Sequence, residues 1–147
     1  MPTFCAVTIT TDSSGVNWGE ASRIFELAPL GIREPDRLRR CFEKSSILRF
    51  AWDGDRLVGM ARAISDGEYQ AAIYDFCMLP EYQGSGIGRR LMESILAACA
   101  GLTVVLFVVP GKEGFYAKFG FETMLTGMAR FGDVDRMRRQ GYLAAKE

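Results

Sequence analysis

Histidine is absent from this 147-residue chain. That excludes a Ser-His-Asp triad, a Cys-His nucleophile pair and any histidine-bearing metal site, and no metal is expected. Catalysis must therefore draw on carboxylates, tyrosine, lysine, cysteine, serine or backbone dipoles. Net charge is missing as well, because 18 Lys and Arg offset 18 Asp and Glu. A neutral chain has no bulk attraction to nucleic acid or to an acidic membrane surface, so neither is expected as a partner. Cys5, Cys41, Cys77 and Cys99 form no CxxC pair, and three of the four sit among apolar neighbours. That is the pattern of buried free thiols in a reducing compartment. No apolar run is long enough to span a bilayer; the most apolar stretch is residues 102–110. The opening MPTFCAVTIT lacks the basic start and apolar core of a signal peptide, so the expectation is a cytoplasmic protein. Neither a repeat nor a Pro/Ser-rich linker divides the sequence, and a single domain over residues 1–147 is expected.

What is present is a core. Hydrophobic residues make up 48% of the chain, enough for a folded globule of this length. Residues 3–10 alternate and are rich in β-branched side chains, predicting a first strand. Trp18, Ala21, Ile24, Phe25 and Ala28 recur at helical spacing, predicting a helix over 18–27 that Pro29 ends. Glu34-Pro35-Asp36 opens a second helix, with Leu38, Cys41 and Phe42 on its buried side. Strands over 48–52 and 57–65 flank the hairpin signal Asp53-Gly54-Asp55, and a further strand covers 70–79. A helix over 86–100 carries an apolar stripe of Ile87, Leu91, Ile95, Leu96 and Cys99. Residues 102–109 read as a strand covered on both faces, and 113–119 as a short helix ended by Gly120. Phe121 onward reads as one or two last strands, followed by a helix over 133–140. The order β-α-α-β-β-β-α-β-α-β predicts an α+β sandwich on a mixed sheet.

The run from Met78 to Leu91 places Gly84, Gly86 and Gly88 where a strand passes into a helix. Glycines leave amide N–H groups uncovered, and at a helix start those amides lack intrahelical partners and sit at the positive end of the macrodipole. Such a turn is a phosphate cradle or simply a tight turn; composition alone leaves both open. A Walker loop would end Gly-Lys-Ser/Thr, whereas this run ends Gly88-Arg89-Arg90. A dinucleotide fingerprint would read GxGxxG in the first βα turn, whereas this one reads GxGxG after the fourth strand.

Gln83-Gly84-Ser85-Gly86-Ile87-Gly88 resembles the Q/R-x-x-G-x-G/A signature of the GNAT acetyltransferase superfamily. Downstream, Phe115-Tyr116-Ala117-Lys118-Phe119-Gly120-Phe121 is similar to that family's FYxKxGF segment. The resemblance spans about residues 57–130, roughly half the chain. It implies a GNAT-type α/β/α sandwich with a mixed, largely antiparallel, splayed central sheet. It also implies an acetyl-CoA-dependent N-acetyltransferase that moves acetyl to a primary amine, on a small molecule or a protein lysine, by direct attack in a ternary complex. The alternative is a non-catalytic acyl-CoA-binding regulatory module. Another reading, an enzyme acetylating aminoacyl-tRNA, would want a basic face, and Asp133 and Asp135 dilute the C-terminal arginines 130, 136, 138 and 139.

In the family, the strand before the loop pairs with pantetheine as if it were a neighbouring strand. That implies pantetheine contacts from the backbone of Cys77, Met78 and Leu79. Pyrophosphate contacts would come from the amides of Gly84, Ser85, Gly86, Ile87, Gly88 and Arg89, with Gln83 also counted as cofactor-binding. The Arg89 and Arg90 side chains either add charge there or are solvated helix residues. Tyr116 is implied to protonate the departing thiolate, against a packing role beside Phe115 and Phe119. For the base, Asp75 is the candidate: it interrupts an apolar strand, where strict alternation puts 75 and 77 on one face and 74, 76 and 78 on the other. A carboxylate buried there gains basicity unless it is paired. The competing reading is a structural acid bonded to a loop amide or to Arg62. Tyr74, Glu68, Glu81 or an ordered water are lesser candidates. Two features depart from or stand outside the pattern. Val109 occupies a position where the family often has asparagine, and Lys112 either reaches a CoA phosphate or is simply solvated. Cys77 has no cation or histidine beside it in sequence to activate it, and reads as a buried strand thiol. Trp18, Phe25, Trp52 and Met60 either line an acceptor pocket or belong to the core. Gly127-Met128 fits small bacterial members that act on aryl-alkylamines, polyamines or protein lysines. An exposed sheet edge makes a homodimer plausible.

Overall fold

The computed structural model describes residues 7–146. Residues 3–6 of the expected first strand, and Cys5, lie outside the described residues. The backbone gathers into two compact units, one ending at Leu106 and one beginning at Phe107.

The first unit holds a five-stranded sheet in the order β1-β2-β3-β4-β5. Its strands are β1 (Val7–Thr10), β2 (Ile47–Asp53), β3 (Arg56–Ser65), β4 (Gln70–Met78) and β5 (Thr103–Val105). Pairings β1–β2, β2–β3 and β3–β4 are antiparallel, and β4–β5 is parallel. This is the expected α+β fold with a mixed, largely antiparallel sheet. Two helices, α1 (Trp18–Leu27) and α2 (Pro35–Glu43), pack on one face. There the rings of Trp18, Phe42 and Phe50 meet at centroid separations of 5.6 to 6.1 Å. Helix α3 (Ile87–Ala97) covers the other face, where Arg49, next to Phe50 on β2, donates from Nε to Ser94 Oγ at 2.8 Å. Alternation along β2 thus feeds both layers. Each fully buried Phe in this core removes apolar surface worth about 1.5–3 kcal/mol, and Phe25, Phe42 and Phe50 are all of that kind.

Helix starts follow local chemistry. The Asn17 side chain accepts from Glu20 N, and the Glu34 carboxylate accepts from Asp36 N and Arg37 N with Pro35 in the first turn. Helix α3 begins differently: Gly86 occupies its cap with a left-handed φ of 87° and no side chain caps it.

The second unit contains α4 (Glu113–Ala117) and α5 (Val134–Arg139). Asp133 caps α5 by accepting from Arg136 N. Phe107 packs edge-on against Phe131 and Tyr142 at 5.6 and 5.7 Å.

Two strand expectations fail. Among the described residues from 107 onward no strand forms, although Phe121 onward was expected to supply one or two. A strand needs a paired edge, and this unit provides none; Leu125 and Met128 stand 99% exposed. The expected strand over 102–109 shrinks to Thr103–Val105, and Phe107 and Val109 are exposed rather than covered on both faces. Its pairing to β4 runs only from Gln70↔Thr103 to Ala72↔Val105, because the next stretch of β4 bulges.

Candidate active site

The bulge is the first element of the site. Register runs Met60↔Cys77 and then Arg62↔Tyr74, so three steps on β4 answer two on β3. One extra residue reverses the alternation beyond it. Tyr74 therefore shares the α1–α2 face with Cys77, contrary to the face assignment expected from strict alternation. Asp75 sits in the bulge with φ of 55°, the single non-glycine residue with positive φ among those described. Such a conformation persists where surrounding contacts over-determine it.

Those contacts are ionic. Arg62 Nε reaches Asp75 Oδ2 at 2.7 Å and Arg33 Nη2 reaches Oδ1 at 3.1 Å; the Asp75 side chain is 9% exposed, Arg62 14% and Arg33 38%. Arg62 lies over the ring of Tyr74 at 5.1 Å and donates from Nη1 to Ser45 Oγ at 3.3 Å. Both oxygens of the expected base are thus engaged by guanidinium, which joins the Arg62 partner foreseen from sequence to a second, Arg33, that was not.

Beyond the bulge, Cys77, Met78 and Leu79 are buried, and Leu79 N donates to Val58 O at 2.8 Å on the β3 side. Close approach there depends on Gly59, where a Cβ would fall 3.0 Å from the Cys77 carbonyl oxygen. Burial, with the Asp75 charge second, pushes the Cys77 thiol far above its ordinary value. It is a packed strand thiol, inert as a nucleophile.

The glycine loop follows a short 3-10 turn, Pro80–Tyr82, and residues 83–86 are exposed. Gly84 and Gly86 take φ of 77° and 87°, and a Cβ at either would meet nothing within 4 Å. Their glycine character serves backbone conformation and leaves open space above the chain. The first bond of α3 is Arg90 N to Gly86 O, so the amides of Ile87, Gly88 and Arg89 precede the intrahelical ladder with no side-chain cap. Ser85 Oγ donates to Tyr82 O, and Gln83 Nε2 lies 3.4 Å from Met78 O. The Arg89 side chain pairs with Glu93 at 3.1 Å on the exposed face, leaving its backbone N–H as the loop-facing group.

Sequence reasoning missed what anchors this loop. Tyr82 is buried, and its hydroxyl donates to Asp53 Oδ2 at 2.6 Å. Arg56 bonds Glu81 at 2.7 Å and lies 5.5 Å over the Tyr82 ring. The hydrogen bond to the Asp53 carboxylate is the main reason the Tyr82 hydroxyl is held above its ordinary pKa. The β2–β3 hairpin thereby staples the loop's entry, through residues some 25 to 29 positions apart that no local pattern connects.

In the second unit, Tyr116 lies on α4, half-buried, with its ring 5.2 Å from Phe115 and 6.1 Å from Phe121. Its carbonyl accepts from Phe119 N and Phe121 N, closing the helix at Gly120, whose φ is 86°. Lys112 is exposed at the helix start. Of the lesser base candidates, Glu81 is paired with Arg56, and Glu68 N donates to Asp66 Oδ1 in the β3–β4 turn.

Residues 44–123 match the model of the acetyltransferase (GNAT) domain. Over 123 residues the chain is 32% identical to a chloroplastic protein of rice, serotonin N-acetyltransferase 2, covering 77% of this chain and 60% of that one. A GNAT family acetyltransferase of Streptococcus pneumoniae superposes with a TM-score of 0.70 at 26% identity, over 86% of this chain and 98% of that one. A Staphylococcus aureus protein shares the fold alone, with a TM-score of 0.78 at 24% identity over 87% of this chain and all of that one. The chain spans 40 to 60% of the length of the first curated relatives it matches.

Proposed function

This chain belongs to the GNAT acetyltransferase family, and from that premise we propose that it is an N-acetyltransferase moving acetyl from acetyl-CoA to a primary amine by direct attack in a ternary complex. The observation that carries the reading is the uncapped start of α3, whose open amides follow two glycines in the left-handed region. Exposed N–H groups at a helix start, with no acidic residue in the first turn, fit a diphosphate. When bound, CoA supplies the acetyl group as an activated thioester. The amides of residues 84–89 would hold its pyrophosphate, and backbone groups of Cys77, Met78 and Leu79 would hold pantetheine on β4 past the last β5 pair. The parallel ladder to β5 has ended before that stretch, its last pair being Ala72↔Val105.

Attack by an amine requires a neutral nitrogen, stabilisation of the developing oxyanion and a proton for the departing thiolate. Tyr116 is assigned that last role on its place in the FYxKxGF segment, a phenol being able to donate a proton to the departing sulfur. The amine gives up its proton to solvent or to a carboxylate by way of ordered water, since Asp75 has both oxygens engaged.

Calorimetric titration with acetyl-CoA tests the binding half. Saturable binding is expected, and a Gly86→Glu variant is expected to lose it, because a side chain there fills the space over the amides. Release of free thiol in the presence of amines tests the transfer half. Tyr116→Phe is expected to lower kcat about a hundredfold or more with little change in the KM for acetyl-CoA. A protein that binds no acetyl-CoA overturns the reading.

A further inference from the structure

Along residues 18–45 five acids stand against six bases, a near balance in number that the fold does not keep in place. Glu20 accepts from Leu57 N, Glu26 pairs with Arg23, and Glu34 is spent on the start of α2. Asp36 and Glu43 both face Arg39. Every one of these carboxylates is committed away from the bulge. What converges on the bulge is Arg33 from the α1–α2 connection and Arg62 from β3, around the single carboxylate of Asp75.

Two guanidiniums around one carboxylate leave a local excess of positive charge in a partly dry setting. Arg62 is largely buried and braced between the Phe42 and Tyr74 rings, 6.0 and 5.1 Å away. Arg33 is the accessible member. It spends Nη2 on Asp75, rests its face on the Phe25 ring at 4.7 Å, and is fixed at its carbonyl by Ser22 Oγ. A guanidinium carries five donors in a planar fork that suits a carboxylate. Asp75, by contrast, already has a guanidinium on each oxygen.

We infer that Arg33, backed by Arg62, selects acceptor amines that carry a carboxylate near the nitrogen. This rests on the acetyl-CoA reading above, which puts pantetheine on the backbone of residues 77–79. Asp75, which holds Arg33, lies two residues upstream on the same strand, so a guanidinium and that backbone sit along one stretch of β4.

The test uses matched acceptors that differ by one carboxylate: tyrosine against tyramine, tryptophan against tryptamine, lysine against cadaverine. Acetyl-CoA binding is first measured by calorimetry, and thiol release is then followed for each pair. The expected result is a kcat/KM on the order of tenfold or more higher for the carboxylated member, the scale of one charge-assisted hydrogen bond. Arg33→Ala is expected to bring each ratio toward one, and Arg33→Lys to restore part of it. A merely structural role for Arg33 would move both members of a pair together. Acetyl-CoA binding with tyramine, tryptamine and cadaverine used as well as their partners overturns this inference alone. Failure to bind acetyl-CoA overturns the transferase reading beneath it.

Discussion

Replacing Asp75 by asparagine separates the two forces that meet at the bulge. The left-handed backbone of Asp75, φ 55°, costs roughly 1–2 kcal/mol for an ordinary residue and less for Asp or Asn. Against it stand two ion pairs at 2.7 and 3.1 Å to a carboxylate that is 9% exposed. Breaking a buried pair costs about 3–5 kcal/mol because a charge is stranded. Arg62 is the stranded partner, while Arg33, 38% exposed, rehydrates; that places Asp75→Asn at the lower end or just below, about 2–3 kcal/mol. Asparagine keeps the shape and the tolerance of positive φ, so this loss is electrostatic. Asp75→Gly loses the same pairs but relieves the backbone, while Asp75→Ala loses the pairs and keeps the strain. Alanine is therefore expected to be the least stable of the three, by about 1 kcal/mol relative to glycine. Urea unfolding followed by far-UV circular dichroism measures all three, with unchanged m-values as the control for equal surface exposure. A cycle pairing Asp75→Asn with Arg62→Gln should show a coupling of about 1 kcal/mol or more. A neutral or stabilising Asp75→Asn would refute the reasoning, since the two ion pairs would then contribute nothing to stability.

Tyr82→Phe removes the donor to Asp53 and is expected to cost about 1.5 kcal/mol in the same urea assay, the low end for a bond to a charged group because Asp53 is only partly covered. It should also weaken acetyl-CoA binding several-fold by calorimetry, since the loop's entry loses its staple; a variant of wild-type stability would refute the anchoring role. The Asp66 carboxylate accepts from Gln70 N, Tyr69 N and Glu68 N, which hold its pKa below the ordinary carboxylate value. A depressed folded pKa contributes stability that is fully present above the unfolded pKa and is lost as pH falls through the folded one. Asp66→Asn should accordingly flatten that acid limb in thermal melts between about pH 5 and pH 2, and a limb of unchanged slope would refute the assignment.

Local chemistry determined a large part of this protein. Helix α1 follows from Trp18, Ala21, Ile24 and Phe25 at helical spacing, and α2 from Pro35 at its start. The hairpin follows from Asp53-Gly54-Asp55. The glycine loop was legible because positive φ and an uncapped helix start are demands that glycine spacing records in the chain itself. Tertiary structure decided the rest, where the outcome depended on partners distant in sequence. Alternation could not show the bulge at Asp75, because the extra residue is counted only against β3. Nor could composition show that carboxylates 20, 26, 34, 36 and 43 are each committed elsewhere while Arg33 and Arg62 converge on Asp75. The apolar residues after Phe121 carry a strand-like pattern without a paired edge in their own unit, and a strand exists only with a partner for its hydrogen bonds. Periodicity is a property of one segment; pairing, register and charge balance in space belong to several segments at once.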